Sequence, residues 1–111
     1  MEIEKVEEHR ACFIKVIAKD NGNIVGRAYL YLIYNDLHNS PYGLLEDLFV
    51  SETYRSKGIG RALLETVIAE AKARDCYKLI GTSRTNREEI HAWYERAGFK
   101  KYGIEFRMEI C

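Results

Sequence analysis

The spacing of the apolar residues changes at Gly58, and this change limits the folds open to the chain more than any other feature. Beyond Gly58 an apolar residue recurs at every fourth position, and two more widen the same stripe: Ile59, Leu63, Val67 and Ala71, then Leu64 and Ile68. A stripe with this period is typical of a helix that buries one face. It predicts a helix from Gly58 to about Arg74, which must pack on another element.

Three strands are predicted ahead of this helix, because short apolar runs alternate there with turn residues. They are Cys12–Lys19, Ile24–Tyr34 and Leu44–Val50. The first two are joined by Asp20–Asn23, whose Asp, Asn and Gly residues supply the turn chemistry of a hairpin. In the third strand, the acidic residues Glu46 and Asp47 interrupt an apolar run, and strand alternation sends them to opposite faces.

The elements beyond Arg74 complete the predicted order β-β-β-α-β-α-β. Tyr77–Gly81 is predicted as a strand, Arg87–Arg96 as a second helix ended by Gly98, and Phe99–Ile110 as one or two closing strands. Antiparallel strands that lead into a β-α-β crossover give a mixed α/β fold, with a mostly antiparallel sheet and helices packed on it. With no linker visible, residues 1–111 are expected to form a single domain.

Composition removes several classes of function. The 17 Lys and Arg residues balance 17 Asp and Glu, so no overall charge favours nucleic acid or an anionic membrane. No stretch approaches the roughly 18 apolar residues of a membrane span, and MEIEKVEEHR is too charged for a signal peptide. Cys12, Cys76 and Cys111 lack the paired spacing of a zinc site or a disulfide framework. We therefore expect a cytoplasmic protein with free thiols, no metal, and no nucleic-acid or membrane partner.

The turn between the third strand and the first helix has the features of an anion site. The N-terminus of a helix offers unpaired N–H groups, and the glycines Gly58 and Gly60 let a phosphate approach the backbone. Three cations, Arg55, Lys57 and Arg61, add positive charge at the rim. The spacing matches neither the Walker loop nor the three-glycine dinucleotide motif, so a different phosphate ligand is indicated. The alternative is that the glycines only shape a turn and the cations form a solvated loop.

The motif Arg55-x-x-Gly58-x-Gly60 is followed along the chain by the run from His91 to Phe99, HAWYERAGF. In this order, the first is similar to the acetyl-CoA pyrophosphate motif of the GNAT superfamily of N-acetyltransferases, and the second resembles that family's C-terminal helix motif. The resemblance extends over about Cys12–Ile110. Within it, the chain looks most like small-amine members such as glucosamine-6-phosphate N-acetyltransferases.

The resemblance implies which residues hold the acetyl-CoA co-substrate. They belong to the end of the third strand, the following turn and the segment before the second helix: Leu48, Phe49, Val50, Arg55, Ser56, Lys57, Gly58, Ile59, Gly60, Arg61 and Asn86. The family usually begins with a strand and one or two helices that form part of the acceptor wall. About ten residues cannot supply them here, so we expect a shortened acceptor wall that a second subunit completes as a homodimer.

The resemblance also implies two catalytic residues. Glu46 is the candidate base, acting directly or through water, and Tyr94 is the candidate donor to the departing CoA thiolate. A purely structural role remains the alternative for each: Glu46 paired to an arginine, and Tyr94 packed in the core. His91 is expected to be a partly exposed polar residue rather than a base.

The implied function is transfer of an acetyl group from acetyl-CoA to a primary amine of a small molecule by direct attack. Two alternatives stay open at this point. The acceptor is a protein or peptide, since a shortened wall leaves an open groove, or the chain is a non-catalytic acyl-CoA-binding module.

Overall fold

The computed structural model of the chain describes residues 1–7, 9 and 11–111. Glu8 and Arg10, two residues of the charged leader, lie outside the described residues. The elements are β1 (Ala11–Asp20), β2 (Asn23–Ile33), β3 (Tyr42–Val50), a 3-10 turn (Glu52–Tyr54), α1 (Ile59–Ala73), β4 (Leu79–Gly81) and α2 (Glu88–Arg96). The chain divides into two compact units, Met1–Ile80 and Gly81–Cys111, which are described in turn.

The first two strands form the predicted hairpin. Asp20 pairs with Asn23, which leaves a two-residue loop of Asn21 and Gly22. Both loop residues have positive φ, 50° for Asn21 and 82° for Gly22. This backbone matches the right-handed twist of the flanking strands, and Asn-Gly adopts it at little cost. The turn therefore fixes the register of the hairpin.

The remaining strands add to one side of that hairpin. β3 pairs antiparallel with β2, and β4 lies beside β3 after the α1 crossover, so the four-stranded sheet has the order β1-β2-β3-β4. The Gly43 amide donates to the Lys78 carbonyl at 2.9 Å where the chain approaches β4. The predicted mixed α/β fold is confirmed.

The core lies between one face of the sheet and α1. The buried residues come from alternate positions of the strands and from the apolar stripe of α1: Val25, Ala28, Leu30, Leu32, Leu45, Leu63, Leu64, Val67 and Ala71. Burying each large aliphatic side chain contributes about 1.5–3 kcal/mol to folding. The helical stripe that begins at Gly58 is therefore confirmed, with Gly58 as the N-cap of α1. The residues on the opposite face of β2 are half-buried.

In the second unit, α2 ends at a glycine as predicted. Gly98 has φ 107°, its amide donates to the Glu95 carbonyl at 3.1 Å, and the Phe99 amide donates to the Tyr94 carbonyl at 3.1 Å. These two bonds and the left-handed glycine form a Schellman cap. The cap reverses the chain after α2.

The closing strands predicted for Phe99–Ile110 are wrong for the described structure. Residues 99–111 have no regular secondary structure, and 100–111 are exposed. The alternation of apolar and polar residues is present, but a strand needs a neighbour to pair its backbone groups. No described strand pairs with this segment.

Candidate active site

The strand β3 contains a β-bulge in its second half. The ladder with β2 skips a step, so that Asp47 and Leu48 together face Ala28. Asp47 has φ 54°, a left-handed value that aspartate tolerates better than most residues. Bulges interrupt the pairing of backbone groups and occur often beside active sites. As a result Phe49, rather than Leu48, pairs with Arg27, and the predicted strand alternation is broken at Asp47.

Two arginines flank Phe49 beyond the bulge. The guanidinium carbon of Arg27 lies 5.0 Å from the centre of the Phe49 ring, and that of Arg55 lies 5.5 Å from it. Arg27 Nη1 donates to the Asp47 carbonyl at 3.0 Å, and Arg55 Nε donates to the Val50 carbonyl at 2.9 Å. Backbone oxygens on both sides of Phe49 therefore orient both cations, and positive charge is concentrated at the end of β3.

The start of α1 presents backbone donors that have no partner within the helix. Gly58, at φ 83°, is the N-cap and offers no side-chain oxygen to the first turn. The first bond of the helix runs from the Ala62 amide to the Gly58 carbonyl at 3.0 Å. The amides of Ile59, Gly60 and Arg61 precede this bond and have no acceptor within the helix. They stand at the positive end of the helix dipole, which favours an anion.

The cations of the loop are exposed. Lys57 Nζ lies 5.4 Å from the centre of the Tyr54 ring, and Ser56 has φ 64°, which turns the chain before the helix. Arg61 Nε lies 3.4 Å from Glu65 Oε1 across one helical turn, with both side chains largely in solvent. An exposed pair of this kind is weak. The segment from Arg55 to Arg61 thus combines cations with the helix amides.

A hydrogen bond ties this loop to the hairpin. The Tyr54 hydroxyl donates to Asp20 Oδ2 at 2.6 Å, between the 3-10 turn and the end of β1. This bond to Asp20 is the main reason that the pKa of Tyr54 is raised, with desolvation and the negative charge of Asp20 adding to it. The loop ahead of α1 is therefore fixed at Tyr54 as well as at Arg55.

The sheet face opposite α1 is aromatic and carries Glu46. The rings of Phe13, Tyr29 and Tyr31 form a cluster with centroids 5.4–6.3 Å apart. Glu46 is half-buried and pairs with Tyr29 in the ladder, so both lie on this face. A groove of about 570 Å³ runs along it, and the residues that line it include Phe13, Tyr31, Ile33, Leu44, Glu46 and Asp47. Glu46 therefore stands on an aromatic surface that is open to a ligand.

In the second unit, Tyr94 is half-buried within an aromatic group. Its ring centre lies 5.5 Å from that of Trp93 and 5.2 Å from that of Phe99. A Cβ built on Gly81, the first residue of this unit, would lie 3.4 Å from two atoms of the Tyr94 ring, so the backbone of Gly81 packs against that ring. This packing fixes the ring.

The two other predicted residues of this unit lie near the start of α2. His91 Nε2 donates to the Arg84 carbonyl at 2.8 Å, a role that follows because a carbonyl only accepts. The bond holds the turn before α2, and the partly exposed position predicted for His91 is confirmed. Asn86 is exposed in the same turn.

Sequence reasoning missed Arg27 and the link between Tyr54 and Asp20. Arg27 is separated from Phe49 by 22 positions in the chain and reaches it only through the β2–β3 pairing. The one available signal was a cation on a strand of aromatic and apolar residues. The sequence predicts only a turn at Asp20, because its partner Tyr54 lies beyond the whole of β2 and β3.

Within 1–7, 9 and 11–111, no three His, Cys, Asp or Glu side chains come together as a set of metal ligands. Over the same residues, no helix is long and apolar enough to cross a bilayer.

A comparison with protein families gives one match that extends over most of the chain. The model of the acetyltransferase (GNAT) family matches residues 2–99. Among curated proteins, the chain is 33% identical over 95 residues to the aminoglycoside N(6')-acetyltransferase type 1 of Stenotrophomonas maltophilia, a match that covers 81% of this chain and 62% of that protein. It is 30% identical over 90 residues to the glucosamine 6-phosphate N-acetyltransferase of Trypanosoma brucei brucei, covering 80% of this chain and 59% of that protein.

A solved structure shows the same fold. The crystal structure of an acetyltransferase from Trypanosoma brucei superposes with a TM-score of 0.79 at 27% identity, covering 88% of this chain and 69% of that one. The chain thus spans about three fifths of the length of the two curated relatives.

Proposed function

The chain belongs to the acetyltransferase (GNAT) family, and on that basis we propose that it is an N-acetyltransferase acting on a primary amine of a small molecule, with acetyl-CoA as co-substrate. The observation that carries the proposal is the junction of β3 and α1. There a bulge, the backbone-oriented Arg55 and the uncapped amides of a helix lie within one continuous stretch, and Arg27 reaches its start from β2.

This stretch fits the two chemical parts of acetyl-CoA. The amides of residues 59–61, with Arg55, Lys57 and Arg61, would hold the pyrophosphate, because backbone donors and cations both favour it. Ser56, Gly58, Ile59 and Gly60 shape this loop. Leu48, Phe49 and Val50, at and beyond the bulge, would pair with the pantetheine arm and polarise the thioester carbonyl through backbone N–H groups. Asn86 would add a further polar contact. The bound co-substrate supplies the activated acetyl group.

The acceptor amine attacks as the neutral form. At pH 7, deprotonating an α-amino group with a pKa near 8 costs about 1 kcal/mol, and a lysine-like amine with a pKa near 10.4 costs roughly 4–5 kcal/mol. Glu46 would take the proton that the nitrogen loses, directly or through a water molecule. The aromatic face around Glu46 gives the apolar part of the acceptor a surface to contact.

The reaction forms one bond and breaks one. The amine nitrogen bonds to the acetyl carbon, the carbon–sulfur bond breaks, and the sulfur leaves with its electron pair. Tyr94 would donate its hydroxyl proton or a hydrogen bond to that sulfur, since a phenol is protonated at neutral pH. No covalent intermediate on the chain is needed, so the cysteines have no catalytic role in this scheme.

The names of the relatives support a small amine as acceptor. One acts on an aminoglycoside and another on glucosamine 6-phosphate, and both of these acceptors are amino sugars. Direct attack also needs no metal, and the balanced charge of the chain favours neither nucleic acid nor a membrane as partner. Cys12, Cys76 and Cys111 are free, which fits a reducing compartment such as the cytoplasm.

The experiment is release of CoA thiol from acetyl-CoA against a panel of amines. The panel contains glucosamine 6-phosphate, aminoglycosides, polyamines, amino acids and lysine peptides, and each is tested with the wild type, Tyr94→Phe and Glu46→Gln. We expect one class of small amine to stimulate release, and both substitutions to lower kcat by about tenfold or more. Lys101→Gln, at an exposed position outside the candidate site residues, is the control.

Two results would contradict the proposal. Transfer to lysine peptides alone would identify a protein acetyltransferase. Acetyl-CoA binding without transfer to any amine would identify a binding module.

A further inference from the structure

The groove beside Glu46 is apolar along most of its length. Its volume of about 570 Å³ lies in the range of small-molecule sites. Phe13, Tyr31 and Leu44 line it and form one row across the sheet, since Phe13 pairs with Tyr31 and Tyr31 with Leu44. Ile33, two positions along β2, extends the same surface. We call Phe13, Tyr31, Ile33 and Leu44 the apolar patch.

The apolar patch presents two aromatic rings to a ligand. The ring centres of Phe13 and Tyr31 lie 5.4 Å apart with 32° between their planes, and Phe13 is 55% exposed. The third ring of this face, that of Tyr29, already has two cations beside it. Lys15 Nζ lies 5.8 Å and the guanidinium carbon of Arg27 lies 5.9 Å from its centre. A flat apolar group can therefore stack on Phe13 and Tyr31.

Two carboxylates stand at one end of the apolar patch. Glu46 and Asp47 both line the groove, and Glu46 follows Leu44 by two positions on the same face of β3. Two residues advance a strand by about 7 Å. An ammonium group is attracted to this end. A ring joined to an amine by a short alkyl linker would reach from the apolar patch to Glu46.

Two cations on the same face limit the positive charge of the acceptor. Lys15 pairs with Tyr29, which pairs with Glu46, so Lys15 lies two strand spacings, or about 10 Å, from Glu46. Arg27 is two positions from Tyr29 on β2. A second ammonium group that extends beyond Tyr29 would be repelled by these cations. The face therefore favours an acceptor with a single ammonium group over a polyamine.

The apolar patch also suits an apolar acceptor better than a sugar. A hydroxyl that is covered without a hydrogen-bond partner costs free energy. Only Tyr31 in the apolar patch carries a polar side-chain group, so the hydroxyls of an amino sugar would outnumber their partners there. In this respect the groove differs from what the names of the two curated relatives indicate, since both name amino-sugar acceptors.

We propose that the acceptor is an arylalkylamine, whose aromatic ring stacks on Phe13 and Tyr31 while its amine lies at Glu46. This inference rests on the proposed function, because it names the acceptor class of the same site. Phe13 and Tyr31 contact the body of the acceptor and not its reacting nitrogen. They are therefore specificity-determining residues.

The first measurement is binding by calorimetry, with and without CoA, which carries no acetyl group to transfer. The three probes are phenethylamine, ethylamine, which lacks the ring, and phenethyl alcohol, which lacks the ammonium group. We expect ethylamine and phenethyl alcohol each to bind at least about tenfold more weakly than phenethylamine, because one loses apolar contact and the other loses charge.

Variants of Phe13 test the ring contact. Phe13→Ala should weaken the binding of phenethylamine by about tenfold and leave that of ethylamine unchanged, whereas Phe13→Tyr, which keeps a ring, should bind like the wild type. Phe106→Ala removes an aromatic side chain that is 92% exposed and outside the candidate site residues, and it is the matched control. Circular dichroism shows whether each variant is folded.

The second measurement is kcat/KM in the thiol-release assay. Phenethylamine should exceed glucosamine 6-phosphate and the aminoglycosides by at least about tenfold. Phe13→Ala should raise KM for phenethylamine with little change in kcat, since the lost contact serves binding and not the chemical step.

The inference and the proposed function fail on different results. Transfer to an amino sugar without binding of phenethylamine would overturn the inference and leave the acetyltransferase. Binding of phenethylamine that depends on Phe13, without transfer to any amine, would contradict the proposed function and support the ligand class of the groove. A folded Phe13→Ala variant that binds phenethylamine as tightly as the wild type, or equal binding of phenethyl alcohol and phenethylamine, would also overturn the inference.

Discussion

The Tyr54 hydroxyl and the Asp20 carboxylate meet at 2.6 Å, although 34 positions separate them in the chain. The bond joins the end of the hairpin to the turn that precedes the cation-rich loop. It therefore connects the β1–β2 hairpin, which forms from residues close together in the sequence, to the loop that carries the candidate anion site.

This bond predicts a stability difference that depends on pH. The pKa of Tyr54 is raised in the folded state, first by its hydrogen bond to Asp20, so folding favours the protonated phenol. The hydrogen bond therefore contributes its full share of the folding stability below the ordinary tyrosine pKa of about 10. This stability is lost as the pH rises through the pKa of Tyr54 in the folded state. Tyr54→Phe should lower the urea midpoint of unfolding at pH 8, and the difference from wild type should shrink above pH 10. Tyr34→Phe, at an exposed tyrosine, is the control. An equal difference at both pH values would contradict the assignment.

Gly26 allows α1 to approach the sheet beside the site. A Cβ at this position would lie 3.1 Å from Leu63 Cδ1 and 3.2 Å from the carbonyl oxygen of Phe49. The Leu63 side chain can move slightly, but the Phe49 carbonyl oxygen, which belongs to the backbone of β3, cannot move without disturbing the bulge. Gly26→Ala should therefore destabilise the protein by about 1–3 kcal/mol in urea unfolding. Gly103→Ala, where nothing lies within 4 Å, should have little effect. Equal stability of the two variants would show that the sheet adjusts freely.

Gly58 is held at φ 83° at the N-cap of α1, a conformation that costs an L-residue about 1–2 kcal/mol. A Cβ there would meet nothing within 4 Å, so the cost of Gly58→Ala is conformational rather than steric. We expect Gly58→Ala to lose about 1 kcal/mol of stability and to bind CoA more weakly in calorimetry. Gly58→Asn should lose less, because asparagine adopts this conformation more readily. If alanine and asparagine behave alike, the left-handed backbone is not the reason for glycine at this position.

Two of the three thiols, Cys76 and Cys111, should differ in reactivity. Partial burial raises the pKa of Cys76, and the nearby charge of Arg74 opposes this rise while Asp75 adds to it. Cys111 is exposed. Because the thiolate is the reactive form, iodoacetamide at pH 8 should label Cys76 more slowly than Cys111 in the native protein. Mass spectrometry of timed samples measures both rates, and labelling in urea provides the reference in which the difference should vanish. A native Cys76 that reacts as fast as Cys111 would refute the expectation.

Most of the fold follows from local patterns of the sequence. The Asn-Gly turn, the apolar stripe after Gly58 and the glycine after α2 each act over a few residues, so their physical effect is visible in the chain itself. The family motifs lie on two of these elements, which is why the candidate residues could be named from the sequence.

The tertiary structure determined those features of the site that depend on the pairing of β2 with β3. Arg27 reaches Phe49, and Asp47 becomes a bulge, only because β2 and β3 meet in one particular register. The same principle explains the segment Tyr102–Ile110, whose pattern is that of a strand although no described strand pairs with it. Side-chain periodicity is a property of the chain, whereas hydrogen-bond partners, close contacts and the orientation of a cation are set by residues that are distant in sequence and adjacent in space.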